Sequence, residues 1–522
     1  MLASGQFLMT LDSAVMNVSI ATVAQDVGTT VTGIQTAITL YTLVMAALMI
    51  TGGKIGTIIG RRKAFAVGCV IYSCGSLTTA LSPSLGVLIF GWSFLEGVGA
   101  ALIMPAIVGL VAVNFPKDQR PRAYGTIAAA SAVAVAAGPL IGGFATTCCS
   151  WRWVFVGEVL VVGVILLMVK RISDEPTGVH PKLDLVGSAL SALGLGLAVY
   201  GVLKSGTWGW VQPKPDAPDL FGVSMTVWLI VTGVVVLWLL LLWETHLESN
   251  GREPLISPTM LQNRLLRGGL TMFFFQFFVQ MGVFFVVPLF LSVVLGLSAL
   301  DTGVRLLPLS VTLLVTALGV PKFFPAISPR RVVRFGVVLL AMGVLSFLGG
   351  LELGAGAEIT TVPMLLIGIG IGALASQLGA VTVAAVPDEQ SGEVGGLQNT
   401  MTNLGASLGT ALAGSVLIAS LTVTLLAGLS ENPQVSQEVT GRATTELAAG
   451  APFVSDAQLT VALEDAGVPA TEAEAIADEN ATARIQALRS ALFVILLVAL
   501  LSLFFTGRIP DHQPGLKGAV TS

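Results

Sequence analysis

The sequence predicts an all-α polytopic membrane protein, and three observations support that fold class. Of the 522 residues, 54% are hydrophobic and only 11% are charged, whereas soluble domains carry about 25% charged residues. The mean hydropathy is +0.87. Glycine, which lets transmembrane helices pack closely, occurs 59 times. The length alone would predict several soluble domains, but the hydropathy indicates a membrane protein instead.

Fourteen apolar stretches are long enough to cross a bilayer, which takes about 20 residues. They cover residues 3–25, 33–56, 64–82, 86–113, 123–146, 153–171, 184–203, 221–243, 268–295, 302–323, 332–351, 361–386, 394–427 and 485–507. The stretch at 394–427 is unusually long. We expect each stretch to form one membrane-spanning helix.

The positions of Lys and Arg predict the orientation, because cytoplasmic loops carry an excess of both. With the N-terminus inside, 19 of the 26 bases lie on the inner side. The outer side keeps the other seven, namely Arg152, Lys204, Lys214, Arg305, Arg442, Arg484 and Arg489. We therefore expect a multi-pass protein of the cytoplasmic (inner) membrane with both termini in the cytoplasm.

The outer segment 428–483 is strongly acidic, with ten Asp and Glu residues and a single base, Arg442. Residues 456–466 and 471–487 have a helical composition, so a small helical cap is expected. Two interpretations stay open. The segment is either a solvated acidic loop or an electrostatic antechamber that concentrates cationic substrates.

Three carboxylates lie inside predicted spans: Asp12, Glu96 and Glu158. A charged, unpaired acid at membrane depth costs about 2.5–3.5 kcal/mol on insertion scales, so it usually faces a cavity or a pathway. Asp12 and Glu96 lie about ten residues, roughly 15 Å, from the nearer helix end, and Glu158 only about five residues. The pattern predicts a transporter that binds protons or cations at these acids.

An aromatic stretch with two amides marks the ninth span. Gln276 and Gln280 are four residues apart, and Phe273 and Phe284 lie on roughly the same helix face. This face suits bulky amphipathic substrates, cations included, although a lipid-facing aromatic surface is the alternative. Other candidate substrate-binding residues, which could instead bond between helices, are Asn17, Gln377, Gln398 and Asn399.

Several motifs resemble one transporter family. Gly138, Pro139, Gly142 and Gly143 match the GPxxGG antiporter signature in helix five of the major facilitator superfamily. Residues 11–18, 97–105, 151–155 and 295–308 resemble further motifs of its fourteen-helix branch of drug:proton antiporters (EmrB/QacA type). The resemblance covers nearly the whole chain.

The resemblance implies a major facilitator fold of two six-helix bundles plus two extra helices in the central linker. The expected boundaries are an N-terminal bundle at 1–172, the two additional helices at 173–250, helices nine to thirteen at 251–427, the acidic outer loop at 428–483, helix fourteen at 484–507 and a cytoplasmic tail at 508–522.

The loop after the second span matches the family only in part. The matching residues, which form a conformational motif, are Gly53, Gly56, Gly60, Arg61 and Arg62. Thr57 stands where the family has an acid that helps to latch the two halves together. We therefore expect a latch that is weakened or built differently.

The membrane acids also depart from the family pattern. Ser93 replaces the helix-four arginine implicated in proton coupling, Glu96 replaces a glutamine, and Glu158 replaces an asparagine. Either these changes are drift at packed positions, or the proton- or cation-binding charge has moved to Asp12, Glu96 and Glu158.

The resemblance implies a proton-coupled secondary exporter of hydrophobic or cationic drugs, which alternates between inward- and outward-open states about a central site. One alternative is a dedicated exporter of an endogenous lipid, siderophore or antibiotic. Another is a transporter-like sensor that moves no solute. The sequence has no Walker-type, HExxH or CxxC motif, so we expect no enzyme, cofactor or metal. The expected partners of this monomer are substrate, protons and membrane lipid, and no nucleic acid.

Overall fold

The computed structural model describes residues 1–29, 31–173, 182–215, 217–447 and 451–512. Some side chains within helices, those of Asn17 and Pro139 among them, lie outside the described residues. The described chain is almost entirely helical, and fourteen helices are longer than sixteen residues. We label these long helices α1 to α14.

The first bundle contains α1 to α6. These are α1 Leu2–Asp26, α2 Val31–Ile59, α3 Arg61–Ala80, α4 Leu85–Asn114, α5 Arg120–Cys148 and α6 Arg152–Met168. Helix α4 is irregular, because residues Ile89–Glu96 adopt a π-helical geometry between two α-helical segments. Such π segments are rare and frequently mark functional sites.

Two helices follow at the periphery: α7 Leu185–Trp208 and α8 Met225–Ser249. A hairpin of Asp219–Leu220 and Val223–Ser224 joins them. Helix α7 packs against α2, α8 and α13, whereas α8 packs mainly against α7. Of the most apolar 18 residues of α8, only 17% are buried. This helix therefore presents most of its surface outward.

The second bundle contains α9 to α14. These are α9 Arg264–Leu289, α10 Ala299–Phe323, α11 Pro329–Gly350, α12 Thr361–Val383, α13 Ser391–Glu431 and α14 Ala470–Ser502. A π-helical turn, Phe290–Val294, extends α9, and a 3₁₀ segment, Leu503–Arg508, extends α14. The largest apolar core lies within this half.

Each long helix overlaps one of the fourteen predicted spans, and several of the ends differ, such as that of α8, which continues to Ser249 instead of 243. Helix α13 extends to Glu431, and α14 begins at Ala470 instead of 485. The first turns of α14 are rich in Ala and Glu, which favour a helix without being apolar. The acidic connection is thus 432–469, with short helices Gln437–Glu446 and Asp456–Asp465. Among the described residues, eleven of the helices are long and apolar enough to cross a membrane.

The two ends of the bundle differ in charge, and we name them accordingly. The basic end holds the α2–α3 and α4–α5 connections and the start of α13, and the acidic end holds residues 432–469. The two halves meet closely at the basic end. A Cβ on Gly125 of α5 would lie 2.4 Å from the carbonyl oxygen of Ala317 in α10, and one on Gly53 of α2 would lie 2.7 Å from that of Gly392 in α13.

Candidate functional site

The structure brings Asp12, Glu96 and Glu158 together inside the first bundle. They come from α1, α4 and α6, and their closest ligand atoms lie within 4.8 Å of one another. Their exposed fractions are 0%, 0% and 2%. Residues separated by up to 146 positions thus form one buried cluster, which we call the acid cluster.

Hydroxyl and indole groups hold the acid cluster in place. The Trp92 Nε1 donates to both carboxylate oxygens of Asp12 at 2.9 Å. The hydroxyls of Tyr72 and Ser76 lie 3.3 and 3.1 Å from Glu158 Oε2. These donors are all neutral groups. They fix the orientation of the carboxyls without cancelling their charge.

Other polar atoms of the site have no partner. The Glu96 Oε2, the Glu158 Oε1 and the hydroxyl of Tyr41 are buried without a hydrogen bond among the described residues. The Tyr41 ring stacks on that of Trp92 with centroids 5.1 Å apart. A buried polar group left unsatisfied costs about 1–3 kcal/mol. These atoms are consequently the ones available to a proton or a ligand.

The absence of a side chain at Gly75 makes room for Glu96 where two helices pack closely. A Cβ on Gly75 of α3 would lie 2.6 Å from Glu96 Cγ and 2.7 Å from the carbonyl oxygen of Gly91. Only glycine at position 75 lets α3 approach the π segment of α4 this closely. From α3, the hydroxyl of Thr79 then reaches 3.3 Å from Glu96 Oε1.

The acid cluster cannot hold three negative charges at once. Two unit charges about 4 Å apart repel by about 4 kcal/mol at an effective dielectric of about 20. Arg152 lies on the same helix as Glu158, but its guanidinium donates to the carbonyl oxygens of Ala80 and Ser82 and not to the acids. The cluster must therefore bind protons or a cation to remain buried.

The burial corrects one expectation from the sequence. We expected these acids to face a cavity or a pathway, with Glu158 nearer the outside than the other two. All three are instead buried, and the side chains that bond to them belong to helices of the first bundle. The reason is that hydroxyls of α3 and the indole of α4 donate to part of the cluster from within the bundle.

Ion pairs join the two halves at the basic end, where the loss of the family acid at Thr57 predicted a latch that is weakened or built differently. The ammonium of Lys54 in α2 lies 2.9 Å from Glu393 Oε1 in α13, and both side chains are less than 10% exposed. The Arg61 guanidinium donates to the carbonyl oxygens of Asp388 and Glu389.

A second ion pair completes the latch. The Arg120 guanidinium, at the start of α5, donates to both carboxylate oxygens of Asp388 at 3.0 and 2.9 Å. Because Lys54, Arg61 and Arg120 belong to the first half, and Asp388 and Glu393 to the second, these bonds hold the basic end closed.

Some of the motif glycines occupy contact positions, whereas a Cβ added to Gly143 would meet nothing within 4 Å. Gly60 has φ of 97° and connects α2 to α3, a conformation that favours glycine. In the antiporter motif, Gly138 packs against Ala14, and Gly142 packs against Val15. This motif therefore lies beside the turn of α1 that carries Asp12. The side chain of Pro139 lies outside the described residues.

The predicted aromatic face of α9 is part of the interior. Gln276 and Gln280 are 5% and 9% exposed, and the Oε1 atom of each is buried without a partner among the described residues. Phe273 and Phe284 are half-buried and pack against the large apolar core. None of the phenylalanines at 273–285 is exposed, so a purely lipid-facing surface does not describe this helix.

The remaining polar candidates are dispersed. Gln377 in α12 is 1% exposed, with its Nε2 3.3 Å from Ser376 Oγ. Gln398 in α13 is buried with Nε2 unpaired among the described residues. Asn399 donates to the carbonyl oxygen of Gly395 in its own helix. The side chain of Asn17 lies outside the described residues.

Sequence reasoning missed the neutral partners of the acids. Trp92 lies one helical turn before Glu96, so helical spacing could have placed both on one face. Tyr41, Tyr72, Ser76 and Thr79 come from other helices, and spacing along the chain gives no sign of their contact with the acids. Glu393 and Asp388 were also missed, because they lie at the predicted membrane boundary.

Comparison with known proteins identifies the family. The model of the Major Facilitator Superfamily matches residues 2–410. The chain belongs to the major facilitator superfamily. Its fold agrees with a crystal structure of the human organic anion transporter MFSD10 (TETRAN), at a TM-score of 0.58 and 13% identity, over 97% of both chains.

Two curated relatives in the superfamily are named for resistance or export. The chain is 29% identical over 424 residues to the tetracenomycin C resistance and export protein of Streptomyces glaucescens, covering 80% of this chain and 75% of that protein. It is 30% identical over 419 residues to the puromycin resistance protein pur8 of Streptomyces alboniger, covering 79% and 80%. This multi-pass membrane protein is thus similar to superfamily members that export or confer resistance to antibiotics.

Proposed function

We propose that this protein is a secondary exporter of the fourteen-helix drug:proton antiporter branch, located in the cytoplasmic membrane with its basic end in the cytoplasm. It moves hydrophobic or cationic compounds outward by alternating access and takes up protons in exchange. The positive-inside rule supports the orientation, and the names of the relatives support export of toxic small molecules.

The acid cluster is the observation that carries the proposal. Burying three carboxyls within 4.8 Å of one another is costly, and a membrane protein retains such groups chiefly where protons or ions pass. The cluster can exchange protons only when the surrounding helices move, because its members are enclosed. Proton exchange and helix movement are thereby linked, as an antiporter requires.

The latch supplies the conformational part of the mechanism. With Lys54–Glu393 and Arg120–Asp388 formed, the basic end is closed, which corresponds to an outward-facing or occluded state. Opening the basic end requires both pairs to separate. Substrate from the cytoplasm would then reach the buried amides of the second half, Gln276 and Gln280, at the level of the membrane.

Transport by the purified protein in liposomes tests this proposal. We expect a cationic dye to move against its gradient when an inward proton gradient is imposed, and to stop when the gradient is collapsed with a protonophore. Liposomes without protein give the background. Dye movement that ignores the proton gradient would contradict proton coupling, and absence of movement for any compound that binds would contradict export.

A dedicated exporter of one endogenous product is the second candidate. It is favoured by relatives named for single antibiotics, such as tetracenomycin C and actinorhodin. A panel of chemically unrelated dyes separates the two candidates. Mutual competition among the dyes supports multidrug export, and failure of all of them to compete with one antibiotic supports the dedicated function.

A further inference from the structure

The acid cluster contains more acceptor atoms than donors. The Glu96 Oε2 and the Glu158 Oε1 are fully buried with no hydrogen-bond partner in the part of the chain that the structure describes. The Tyr41 hydroxyl, from α2, is an independent third atom. It is buried close to Asp12 and Ser13, without a hydrogen bond of normal geometry among the described residues. Three oxygens without such a bond therefore come from three different helices, α2, α4 and α6.

The chemistry of the site is that of a hard cation. The groups that face the acids are hydroxyls from α2 and α3, namely Tyr41, Tyr72, Ser76 and Thr79, and the indole N–H of Trp92 from α4. Among the described residues, the groups that act on these acids include no ammonium or guanidinium. Oxygen-only ligand sets with carboxylates suit hard metal ions and not soft ones.

We propose that the acid cluster binds Na⁺ in competition with protons, an inference that rests on the proposed function for its role in transport. Glu96 Oε2, Glu158 Oε1 and the Tyr41 hydroxyl are the ligands. One Na⁺ ion replaces one proton without changing the charge of the buried site, so either ion satisfies the same cluster.

The ligand count favours a monovalent ion over a divalent one. Trp92 already occupies both oxygens of Asp12, and Tyr72 and Ser76 occupy Glu158 Oε2. Ca²⁺ takes about six to eight oxygen ligands, and Mg²⁺ keeps several waters. Three free oxygens in an enclosed site are fewer than either ion requires, and a divalent ion would also add a charge to the site, whereas an ion of single charge matches the charge of the one proton that it replaces.

Trp92 provides a direct probe, because its indole contacts Asp12. Purified native protein in detergent is titrated with NaCl at constant ionic strength, with choline chloride as the replacement salt. We expect a saturable change in tryptophan fluorescence and saturable binding of radioactive sodium. The apparent Kd should rise about tenfold for each unit by which the pH is lowered, because one proton competes with one ion.

Matched variants locate the ion. Glu158→Gln and Glu96→Gln should each abolish sodium binding while the protein still binds dye. Asp26→Asn should bind sodium normally, because Asp26 also lies on α1 and accepts from a tryptophan, Trp151, but outside the cluster. Trp92→Phe should lose most of the fluorescence change and retain radioactive sodium binding.

Specific results would overturn the inference. The first is native protein that binds dye but shows no response to sodium. The second is sodium binding that is unchanged in both glutamine variants. The third is saturable binding of Mg²⁺ or Ca²⁺ without binding of Na⁺. If neither variant folds, the pH competition on native protein decides. Proton-driven efflux without sodium binding overturns this inference alone, whereas sodium binding without gradient-driven transport overturns the proposed function and leaves the site.

Discussion

The two halves of the molecule bury their polar groups in different ways. The first bundle joins ionisable side chains across helices, with Asp12, Glu96 and Glu158 within 4.8 Å of one another. The second bundle buries neutral amides, such as Gln276 and Gln280, among phenylalanines and a large apolar core. The second half also buries charged groups, such as Arg484 at 1% exposure, but the base Arg484 is paired with Asp456 and does not belong to a cluster of acids.

This difference is consistent with the division of labour that the proposed function requires. A carboxyl cluster can bind and release small ions, whereas amides beside aromatic rings can hold a bulky organic compound without demanding one geometry. The latch at the basic end joins the two halves through Lys54–Glu393 and Arg120–Asp388. The binding of the ion and the binding of the substrate would then be coupled through the relative position of the two halves. The two ligands would not need to be in direct contact.

The largest effect is expected from neutralising the first half. Asp12→Asn should reduce proton-gradient-driven dye efflux from liposomes to the level of empty liposomes, because it removes an ionisable member of the cluster. Asp26→Asn is the matched control, since its carboxylate accepts from Trp151 at 2.9 Å as that of Asp12 does from Trp92. Equal efflux in the native protein and Asp12→Asn would refute the role of the cluster.

The next largest effect concerns the latch. Lys54→Met leaves Glu393 buried without its partner, which costs about 3–5 kcal/mol. We expect the population with an open basic end to rise by about two orders of magnitude or more, measured as longer spin-label distances across that end. The double swap Lys54→Glu with Glu393→Lys should restore the native distances.

An exposed ion pair serves as the control for the latch. Arg442 and Glu446 form a pair on the acidic end with side chains 60% and 67% exposed, and such a pair contributes less than about 1 kcal/mol. Arg442→Met should therefore leave the spin-label distances unchanged. If Lys54→Met behaves in the same way, the buried pair is not a latch.

A moderate effect is expected in the second half. Gln276→Leu or Gln280→Leu should raise the KM for dye transport about two- to tenfold, since a hydrogen bond contributes about 0.5–1.5 kcal/mol. Proton coupling should remain intact, and Gln437→Ala, at an exposed position, should change neither quantity. An unchanged KM together with a higher melting temperature would show that these amides are only unsatisfied packing groups.

The smallest effect is expected at the acidic end. Replacing the exposed residues Glu438, Glu464 and Asp465 by their amides should raise the KM for a cationic dye about twofold at low salt, because the attraction of the cation is weakened. The difference should vanish at about 1 M salt, where the Debye length is about 3 Å. An uncharged substrate is the control. A change that persists at high salt would contradict the antechamber interpretation.

The fold could be predicted from the sequence to a large extent, since apolar stretches of about 20 residues have few other structures available in a membrane. The start of α14 at Ala470 was missed because its first turns are helical without being apolar. The acids themselves stood out because ionisable residues are rare at membrane depth. The sequence did not predict that the three acids meet in one cluster, because the approach of α3 to α4 depends on Gly75 and on the π segment.

The latch illustrates a different limit of the sequence. The absence of the family acid at Thr57 predicted a changed latch, but Glu393 and Asp388 lie more than 300 residues away along the chain. Spacing rules apply within one helix and cannot pair residues of different halves. The burial of Lys54 and Glu393 is likewise a tertiary property, decided by how closely glycines let α2 and α13 approach.

Proton release on substrate binding tests the division of labour most directly. Dye is added to purified protein in weakly buffered, sodium-free solution, and the pH change is recorded. The account predicts that the native protein releases protons on binding dye, and that Glu96→Gln binds dye with similar affinity but releases fewer. Equal proton release from both proteins would contradict it.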